Sequence, residues 1–545
     1  MAMLEDPTNY ESAKPKLGSA AIIGHTDDAS SRIWIRAYRP GTWWLLVTKD
    51  KLNAEPTEAS PAKLKSSHVV VFAEAHDFDE RQGLCHCFQV RGLKQNRRYF
   101  YYLIADDGMT NIARKIELGT RHQCWFQTLA KYPQSLRFGF CSCHDPYSAK
   151  PVSDGGWRDF HEALEERNAH FVIGGGDQAY CDSSDKSQIE DVWNWLKINR
   201  AALLTTYTTA GKLDEVGVVD YLAALYRTYY CTYWAFENVQ NVYRRFPQYM
   251  IWDDHEIMDG WGSLTRQERR DKIAKGMGRA GDEDDERLAD LMFLAACRTY
   301  QEYQHSHNPQ PKRNDPRYPA NCQWDYGFHH GKFAFYVLDL RGHHDCERDS
   351  FRLLGLAQFE RFKAWIRSGD VNKAEAVFVV SPVPIVHWND ELANTLDIGG
   401  VKDDFMDEWG HDTNQAERNK LLDLLFAFSH LRGIPVSVLS GDVHCASAFR
   451  IIDRTRYENA QLFNITSSAI SRKPPTSKAT MLIASSGKLK NHRTAEIEKL
   501  HEHAGNHNFA MLSADMLAGE LRLGATLYTS DGSSDGPKRR YLKLV

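Results

Sequence analysis

The sequence lacks a long uninterrupted hydrophobic run, and this absence excludes one class of protein. No stretch of its 545 residues approaches the roughly 18 apolar residues that a membrane-spanning helix needs. Residues 1–15 are polar and contain no apolar core of a signal peptide. We therefore expect neither a membrane span nor an export signal, and we find no internal repeat.

An excess of basic residues is also missing. The 67 lysines and arginines are outnumbered by 72 aspartates and glutamates, so the net charge is −5 and nucleic acid is not an expected partner. An anionic substrate would need local cations or metal ions. The 11 cysteines are odd in number and several stand alone in apolar runs, which argues against a secreted disulfide framework. We expect a cytoplasmic protein without an obligate protein partner.

The chain is too long for one hydrophobic core, and its patterns change along its length. Residues 1–15 are expected to be a disordered tail. Residues 16–130 are predicted to form a small β-sandwich of fibronectin or immunoglobulin type, because short β-branched and aromatic runs alternate with turns. These runs are 33–35, 43–47, 68–72, 85–90 and 99–104. Cys85 and Cys87 could bind a metal, but alternation along a strand explains their spacing better.

Strand and helix patterns alternate through residues 131–470, which predicts an α/β layered domain. Strands are expected at 137–141, 171–173, 249–252, 333–338, 376–380 and 435–439, and helices at 157–168, 355–368 and 414–430. A mostly helical insertion at 184–247 and a charged insertion at 265–290 interrupt the alternation. Residues 471–545 are expected to complete this domain with a loop, a helix within 473–504 and final strands.

Four of the predicted strands end in residues that can bind metal ions. The motifs occupy 138–145, 171–180, 249–256 and 436–444, and each is an apolar strand followed at once by Asp, His or Cys. Parallel strands bring their carboxyl ends to one edge of a sheet. Three ends that carry Asp would repel one another unless cations neutralise them. The sequence therefore predicts a dinuclear metal site with a bridging Asp.

These motifs together resemble the PhoD-like branch of the metallophosphoesterases, within the calcineurin-like superfamily. The resemblance covers most of residues 17 to about 470 and rests on Gly-Asp-x-x-Tyr at 176–180, Asp-Asp-His-Glu at 253–256 and Gly-Asp-x-His at 441–444. Cys143 and Tyr180 are fairly specific, since ordinary metallophosphoesterases carry other ligands there. The resemblance implies an α/β fold with a four-layer α/β/β/α core and helical insertions, preceded by the small all-β sandwich.

The resemblance also implies two metal ions held by six side chains, namely Cys143, Asp177, Tyr180, Asp254, Asp442 and His444. Asp177 would bridge both ions. Cys143 and Tyr180, with His444, would bind an iron(III) ion, because thiolate and phenolate are good donors to it. Asp254, with Asp442, would bind a second ion, expected to be Ca²⁺, which prefers oxygen ligands. The sequence alone permits Zn²⁺, Mn²⁺ or Mg²⁺ as well.

The same resemblance implies that His255 and Arg341 act on the substrate. His255 would bind a phosphoryl oxygen or protonate the leaving group, and Asp253 or Glu256 would orient it. Arg341 would clamp phosphate, since guanidinium pairs bidentately with it. A structural ion pair between Arg341 and Asp339 is the alternative that the sequence leaves open.

Other candidate residues have weaker support from the sequence. His387 follows the strand at 376–380, where metallophosphoesterases often place a metal-binding His. Trp409 could line the substrate pocket, although its acidic surroundings are also typical of a helix N-terminus. Cys141 and Cys181 could form a zinc knuckle with Cys143 and His144, but their spacings do not match a structural zinc site.

Taken together, these motifs predict a metal-dependent phosphoester hydrolase, a PhoD-like alkaline phosphatase or phosphodiesterase. The expected reaction is in-line attack by a metal-bound hydroxide on a phosphomonoester or phosphodiester. A phosphodiesterase of phospholipase D type is the close alternative. A catalytically inactive binding or regulatory protein on the same fold is the alternative from another class, and a dinuclear hydrolase of C–N bonds is a third.

The expected iron–phenolate bond at Tyr180 can be tested by colour. A ferric phenolate gives a visible charge-transfer band, so the purified wild-type protein should absorb visible light and Tyr180→Phe should not. Absorption spectra of the two proteins, with iron measured in both, are the test. A colourless wild-type protein would contradict the phenolate ligand and leave the bridging role of Asp177 untouched.

Overall fold

The computed structural model describes most of the chain. It covers residue 4 and residues 6–9, 14–52, 58–59, 69–106, 114–182, 191–275, 277–312, 314–390, 406–532 and 536–545. Some expected features lie outside the described residues: most of the tail at 1–15, residue 68 of one predicted strand, and the start of the helical insertion at 184–190. Every statement below concerns the described part.

Strands between residues 20 and 127 pair into two antiparallel sheets. They are β1 (Ala20–Thr26), β2 (Ser30–Arg36), β3 (Gly41–Thr48), β4 (Glu58–Ala59), β5 (Val70–Phe78), β6 (Cys85–Arg91), β7 (Arg98–Ala105), β8 (Arg114–Leu118) and β9 (Trp125–Gln127). One sheet has the order β1-β2-β6; the other has the order β4-β8-β7-β3-β5, with β9 beside β7. Alternate residues face inward, so that Ile33 and Phe88 of the first sheet share a core with Leu45 and Tyr101 of the second.

Two large mixed sheets are built from the later strands. These are β10 (Ser135–Cys141), β11 (Phe171–Gly175), β12 (Thr208–Thr209), β13 (Lys212–Leu213), β14 (Gln248–Ile251), β15 (Tyr326–His330), β16 (Phe333–Val337), β17 (Ala376–Val380), β18 (Val436–Ser440), β19 (Ala446–Ile452), β20 (Leu462–Ser467), β21 (Gly487–Lys488), β22 (Glu496–His503), β23 (His507–Leu517), β24 (Glu520–Ser530) and β25 (Lys538–Lys543). The orders are β14-β11-β10-β23-β24-β25 and β15-β16-β17-β18-β20-β19-β22-β21, and β12 and β13 form a separate hairpin.

The α-helices follow the expected pattern. They are α1 (Trp157–Glu166), α2 (Val192–Tyr207), α3 (Glu215–Tyr233), α4 (Glu237–Tyr243), α5 (Arg266–Ala274), α6 (Glu283–Tyr303), α7 (Gly355–Ile366) and α8 (Gln415–Arg432). Helices α1, α7 and α8 confirm the predicted ones, and α2 to α4 account for the described part of the helical insertion. Among the helices that the structure describes, none combines the length and the apolar character needed to cross a bilayer.

The two large sheets face each other through aromatic rings. The ring of Phe138 on β10 lies 5.5 Å from that of Phe335 and 5.1 Å from that of Phe378, on β16 and β17. Strands β10, β11 and β14 run parallel in one sheet, and β16, β17, β18 and β20 run parallel in the other. A Cβ atom added at Gly441, after β18, would lie 2.3 Å from Ser142 Oγ, after β10. The carboxyl ends of the two parallel sets therefore meet.

Residues 473–504, where a loop and a helix are expected, contain one short 3₁₀-helix (Ser477–Leu482), but the strand β22 occupies 496–503. This stretch is rich in Glu, Lys and Leu, which are good helix formers. It nevertheless pairs antiparallel with β19, where Ile497 lies opposite Ile451 and Glu498 lies opposite Arg450. Cross-strand apolar and oppositely charged pairs stabilise the strand here, and this long-range pairing overrides the local preference.

Candidate metal centre

Left-handed backbone places the ligand-type residues just beyond the strand ends. Cys143 has φ 58° after β10, Asp177 has φ 57° after β11, and Asp442 and His444 have φ 64° and φ 54° after β18. Residues other than glycine rarely adopt this backbone conformation, and it persists only where the surrounding structure holds it. Strain of this kind clusters at functional sites, which directs attention to this edge of the two sheets.

The first cluster of ligand atoms joins four side chains. The Cys143 thiol lies 3.3 Å from Asp177 Oδ2, and the Tyr180 hydroxyl donates to the same oxygen at 2.9 Å. The Tyr180 oxygen is also 3.2 Å from His444 Nε2. Ligand atoms of Cys143, Asp177 and His444 all lie within 4.8 Å of one another. The structure thus brings together the four side chains expected around iron(III).

The second cluster consists of carboxylates and shares Asp177 with the first. Oxygens of Asp177, Asp253, Asp254 and Asp442 lie within 4.8 Å of one another. Asp177 Oδ1 and Asp254 Oδ1 are buried and have no hydrogen-bond partner among the described residues. A buried carboxylate oxygen without a partner is costly, and a coordinated cation would remove that cost. Asp253, which was expected to orient His255 and was not among the expected metal ligands, belongs to this cluster.

Burial and neighbouring carboxylates shift the pKa values of the ligand-type side chains. Burial, with neighbouring carboxylates, raises the pKa of Asp177 and raises that of Asp442 well above the usual value. Burial, then Asp177, also raises the pKa of the Cys143 thiol and of the Tyr180 hydroxyl well above the usual values. Bound cations would favour the deprotonated ligands and release these protons. Thiolate, phenolate, imidazole and carboxylates together form a donor set that fits two metal ions.

Arg341 lies among carboxylates, and its side chain is only 1% exposed. Its Nε donates to Asp253, its Nη1 lies 2.5 Å from Asp407 Oδ2, and its Nη2 is 3.6 Å from Asp254 Oδ1. Asp339 instead accepts the backbone N–H of Arg341 at 3.1 Å. The guanidinium is therefore enclosed, and the expected role of an open phosphate clamp does not fit this position. The expected alternative, an ion pair with Asp339, does not describe it either.

His255 is oriented by a residue that the sequence analysis missed. Asp182 Oδ1 lies 2.8 Å from His255 Nδ1, and its other oxygen accepts the backbone N–H of Asp259. The imidazole also stacks on the Tyr180 ring at 4.1 Å. Asp182, not Asp253 or Glu256, is thus the carboxylate that contacts His255. The available signal was an acid two residues after the tyrosine of the Gly-Asp-x-x-Tyr motif.

Charges around His255 and Asp254 favour an ion pair. Burial acts to lower the pKa of His255, but Asp182, Asp254 and Asp177 outweigh it and raise that pKa well above the usual value. Burial acts to raise the pKa of Asp254, but Arg341 and His255 lower it to about 2. Each of these two groups therefore shifts the pKa of the other toward the charged form.

Glu256 connects the loop that carries Asp177 to the loop that carries Asp253. It accepts the backbone N–H groups of Asp177 at 3.1 Å, Gln178 at 2.6 Å and Asp253 at 2.9 Å, and the side-chain amide of Gln304 at 2.9 Å. Burial, with a contribution from Asp177, raises the pKa of Glu256 to about 8. Its function is to hold the backbone of both loops in register rather than to orient His255.

The remaining candidates, Asp339, Trp409 and His387, are not members of the two clusters of ligand atoms. Asp339 also accepts the indole N–H of Trp252 at 2.8 Å, so it stabilises the turn after β16. Trp409 is fully buried and donates to Ser381 Oγ at 3.1 Å. His387 is buried with Nδ1 2.8 Å from Ser447 Oγ. The clusters of ligand atoms within the described ranges include neither His387 nor the cysteines 85, 87, 141 and 181 proposed for other metal sites.

Comparisons with known proteins agree with the resemblance noted from the motifs. The family described as "PhoD-like phosphatase" matches residues 138–522. A solved structure described as "Structure of PhoD" aligns with a TM-score of 0.60 and 14% sequence identity, covering 99% of this chain and 92% of that chain. An uncharacterized protein of Saccharomyces cerevisiae, YGR266W, is 23% identical over 407 residues, 60% of this chain and 55% of that protein. The chain thus spans about half the length of this relative.

The buried position of His387 predicts an acid sensitivity. Burial lowers its pKa from 6.5 to about 3. Between these pH values the unfolded chain binds a proton that the folded chain does not, so the free energy of unfolding falls as pH decreases. In His387→Gln this slope should shrink by about 1.4 kcal/mol per pH unit. Urea denaturation across this pH range, with His430→Gln as the control, is the test; an unchanged slope would refute the assignment.

Proposed function

We propose that this chain, which belongs to the PhoD-like phosphatase family, is a metal-dependent phosphoester hydrolase. The observation that carries the proposal is the position of Asp177, whose carboxylate is common to both clusters of ligand atoms. A carboxylate shared in this way is what a pair of bridged cations requires. The family match and the structural likeness to PhoD support the same class of reaction.

We assign one metal ion to Cys143, Tyr180 and His444 and the other to Asp254 and Asp442, with Asp177 between them. Iron(III) suits the thiolate and phenolate, and Ca²⁺ suits the oxygen-rich cluster; Zn²⁺, Mn²⁺ and Mg²⁺ are the alternatives for elemental analysis. Two such ions, when bound, neutralise phosphoryl charge and lower the pKa of water, which supplies the nucleophile for in-line attack. Asp253 would complete the oxygen-rich cluster or hold Arg341 against it.

His255 is the proposed proton donor to the leaving group. One of its ring nitrogens lies within 4.8 Å of carboxylate oxygens of Asp177 and Asp254, and this proximity supports a role for the ring beside the reacting phosphoryl group. Asp182 holds Nδ1, so that Nε2 is left to donate its proton to the departing oxygen. The side chain of His255 is 16% exposed, whereas that of Asp182 is fully enclosed. Asp182 therefore acts through His255 as a positioning residue.

We further propose the division of the chain that the sequence suggested. A sandwich at 16–130 is supported by the common core of its two sheets. A catalytic domain at 131–470, completed by 471–545, is supported by pairing of β23 with β10 and of β22 with β19. A four-layer α/β/β/α core is supported by contacts of α1 with β10 and β23 and by the packing of α7 and α8 residues against the other sheet.

Substrate preference and location are also part of the proposal. Phosphomonoesters and phosphodiesters, including substrates of phospholipase D type, fit the same metal ligands, and turnover of 4-nitrophenyl phosphate and its bis-ester separates them. None of the 11 cysteines forms a disulfide, which favours the cytoplasm. A binding or regulatory protein without catalysis is the alternative, and complete inactivity of the metal-loaded protein would favour it.

Asp177→Ala tests the proposed bridge. The substitution removes the ligand shared by both clusters, so kcat/KM for 4-nitrophenyl phosphate should fall about 1,000-fold or more. Bound metal should fall with it, as measured by elemental analysis. Asp423→Asn, which changes a half-exposed partner of Arg456, is the matched control and should keep both. An Asp177→Ala protein with full phosphoesterase activity would contradict the proposal.

Asp182→Asn tests the positioning of His255. The loss should depend on the leaving group: about 10- to 100-fold in kcat for an alkyl phosphate, whose alkoxide needs a proton, and under about 3-fold for 4-nitrophenyl phosphate. His255→Asn should show the same pattern. A purely structural role for Asp182 would instead lower the turnover of both esters equally, and that result would refute the positioning.

A further inference from the structure

A second arginine, Arg472, lies beside a proposed metal ligand, Tyr180. The guanidinium of Arg341 is enclosed by carboxylates and cannot meet a phosphoryl group. Arg472, in the segment after β20, lies beside Tyr180 at the rim of the metal centre, with its guanidinium carbon 5.1 Å from the centroid of that ring. Its side chain is 19% exposed, against 1% for Arg341. The sequence motifs contained no signal for it.

Arg472 is anchored to the loop that carries a proposed metal ligand. The backbone N–H groups of Ser471 and Arg472 both donate to the carbonyl oxygen of Cys143, at 3.3 and 3.0 Å. Its Nη1 donates to Asp145 Oδ2, and the side chain of Asp145 is fully buried. Backbone and carboxylate contacts therefore hold the guanidinium in place before any substrate binds, which reduces the entropy that binding would cost.

The guanidinium keeps donors that the protein does not use. Nη1 has the carboxylate partner, whereas Nε and Nη2 form no hydrogen bond within the part of the chain described here. Neither of these two nitrogens is among the enclosed polar atoms without a partner. They therefore retain accessible surface, unlike Nη2 of Arg341, which is enclosed. An arginine with open N–H groups, fixed beside a ligand cluster, is suited to an anionic oxygen.

The chemistry of the phosphoryl group indicates which oxygen this is. In-line transfer spreads negative charge over three equatorial oxygens. Two metal ions can neutralise two of them, and the third needs another cation. In a phosphomonoester this third oxygen is charged. In a phosphodiester it carries the second organic group, so it lacks the negative charge that a guanidinium binds. We propose that Arg472 binds the third phosphoryl oxygen and so selects phosphomonoesters over phosphodiesters; this inference rests on the proposed function.

Arg472→Gln and Arg472→Lys are the direct variants. The ratio of kcat/KM for 4-nitrophenyl phosphate to that for its bis-ester should fall about 10- to 100-fold in Arg472→Gln, the range expected for one charge-assisted hydrogen bond. Arg472→Lys should lose less, because it keeps the charge. Arg456→Gln is the matched control. Arg456 also pairs with one Asp, but this partner is Asp423 on helix α8. The control variant should leave the ratio unchanged.

Loss of Arg472 leaves Asp145 as a buried carboxylate without its arginine, which could prevent folding. The double variant Arg472→Gln/Asp145→Asn removes both charges and should fold, as its melting curve will show, with the same lower ratio as the single variant. Equal losses for both esters, an unchanged ratio, or a wild-type protein that cleaves only the diester would each overturn the proposal.

Binding measurements keep this inference separate from the proposed function. Calorimetry of the metal-loaded protein with inorganic phosphate and with dimethyl phosphate does not need turnover. The wild type should prefer phosphate, and the Arg472 variants should lose about 10-fold or more of that preference. If the wild type cleaves neither ester, the proposed function fails while this result still supports Arg472. Equal preferences in wild type and variants would overturn the inference even in an active enzyme.

Discussion

Negative charge buried at the carboxyl ends of the parallel strands is the constraint on which this structure depends. Asp177, Asp253, Asp254 and Asp442 bring their oxygens within 4.8 Å of one another; the first three are buried and Asp442 is partly exposed. Such a group stays ionised only if positive charge lies inside the same volume. Arg341 supplies part of it, fully enclosed. The remaining carboxylate, thiol and phenol groups form a donor set that two cations would satisfy.

The backbone around the charges is built to keep them together. Four ligand-type residues adopt left-handed conformations immediately after the strands, and this strain is held by hydrogen bonds from behind. Glu256 accepts amides from the loops that carry Asp177 and Asp253. The strand ends also pack closely enough that a Cβ at Gly176 would lie 2.8 Å from that of Asp253. The close packing of the strand ends therefore also fixes the positions of the ligand-type residues.

The buried strands and the ligand-type residues that follow them could be predicted from the local sequence. Strand β17 is a run of buried apolar residues found at the predicted positions 376–380, and Cys143, Asp177 and Asp442 each lie two residues beyond the end of a strand. Contacts between distant segments could not be read in this way. Arg341 and Asp253 are 88 positions apart, and Arg472 and Asp145 are 327 apart, so the enclosure of one arginine and the exposure of the other depend on tertiary packing. The strand at 496–503 was missed for the same reason.

The metal content of the purified protein tests the central claim most directly. Elemental analysis of the protein as isolated, followed by thermal unfolding before and after chelation, measures both the ions and their contribution to stability. The account predicts about two metal ions per chain and a lower melting temperature once they are removed. A folded protein that contains no metal, takes up none, and melts at the same temperature with and without chelator would contradict it.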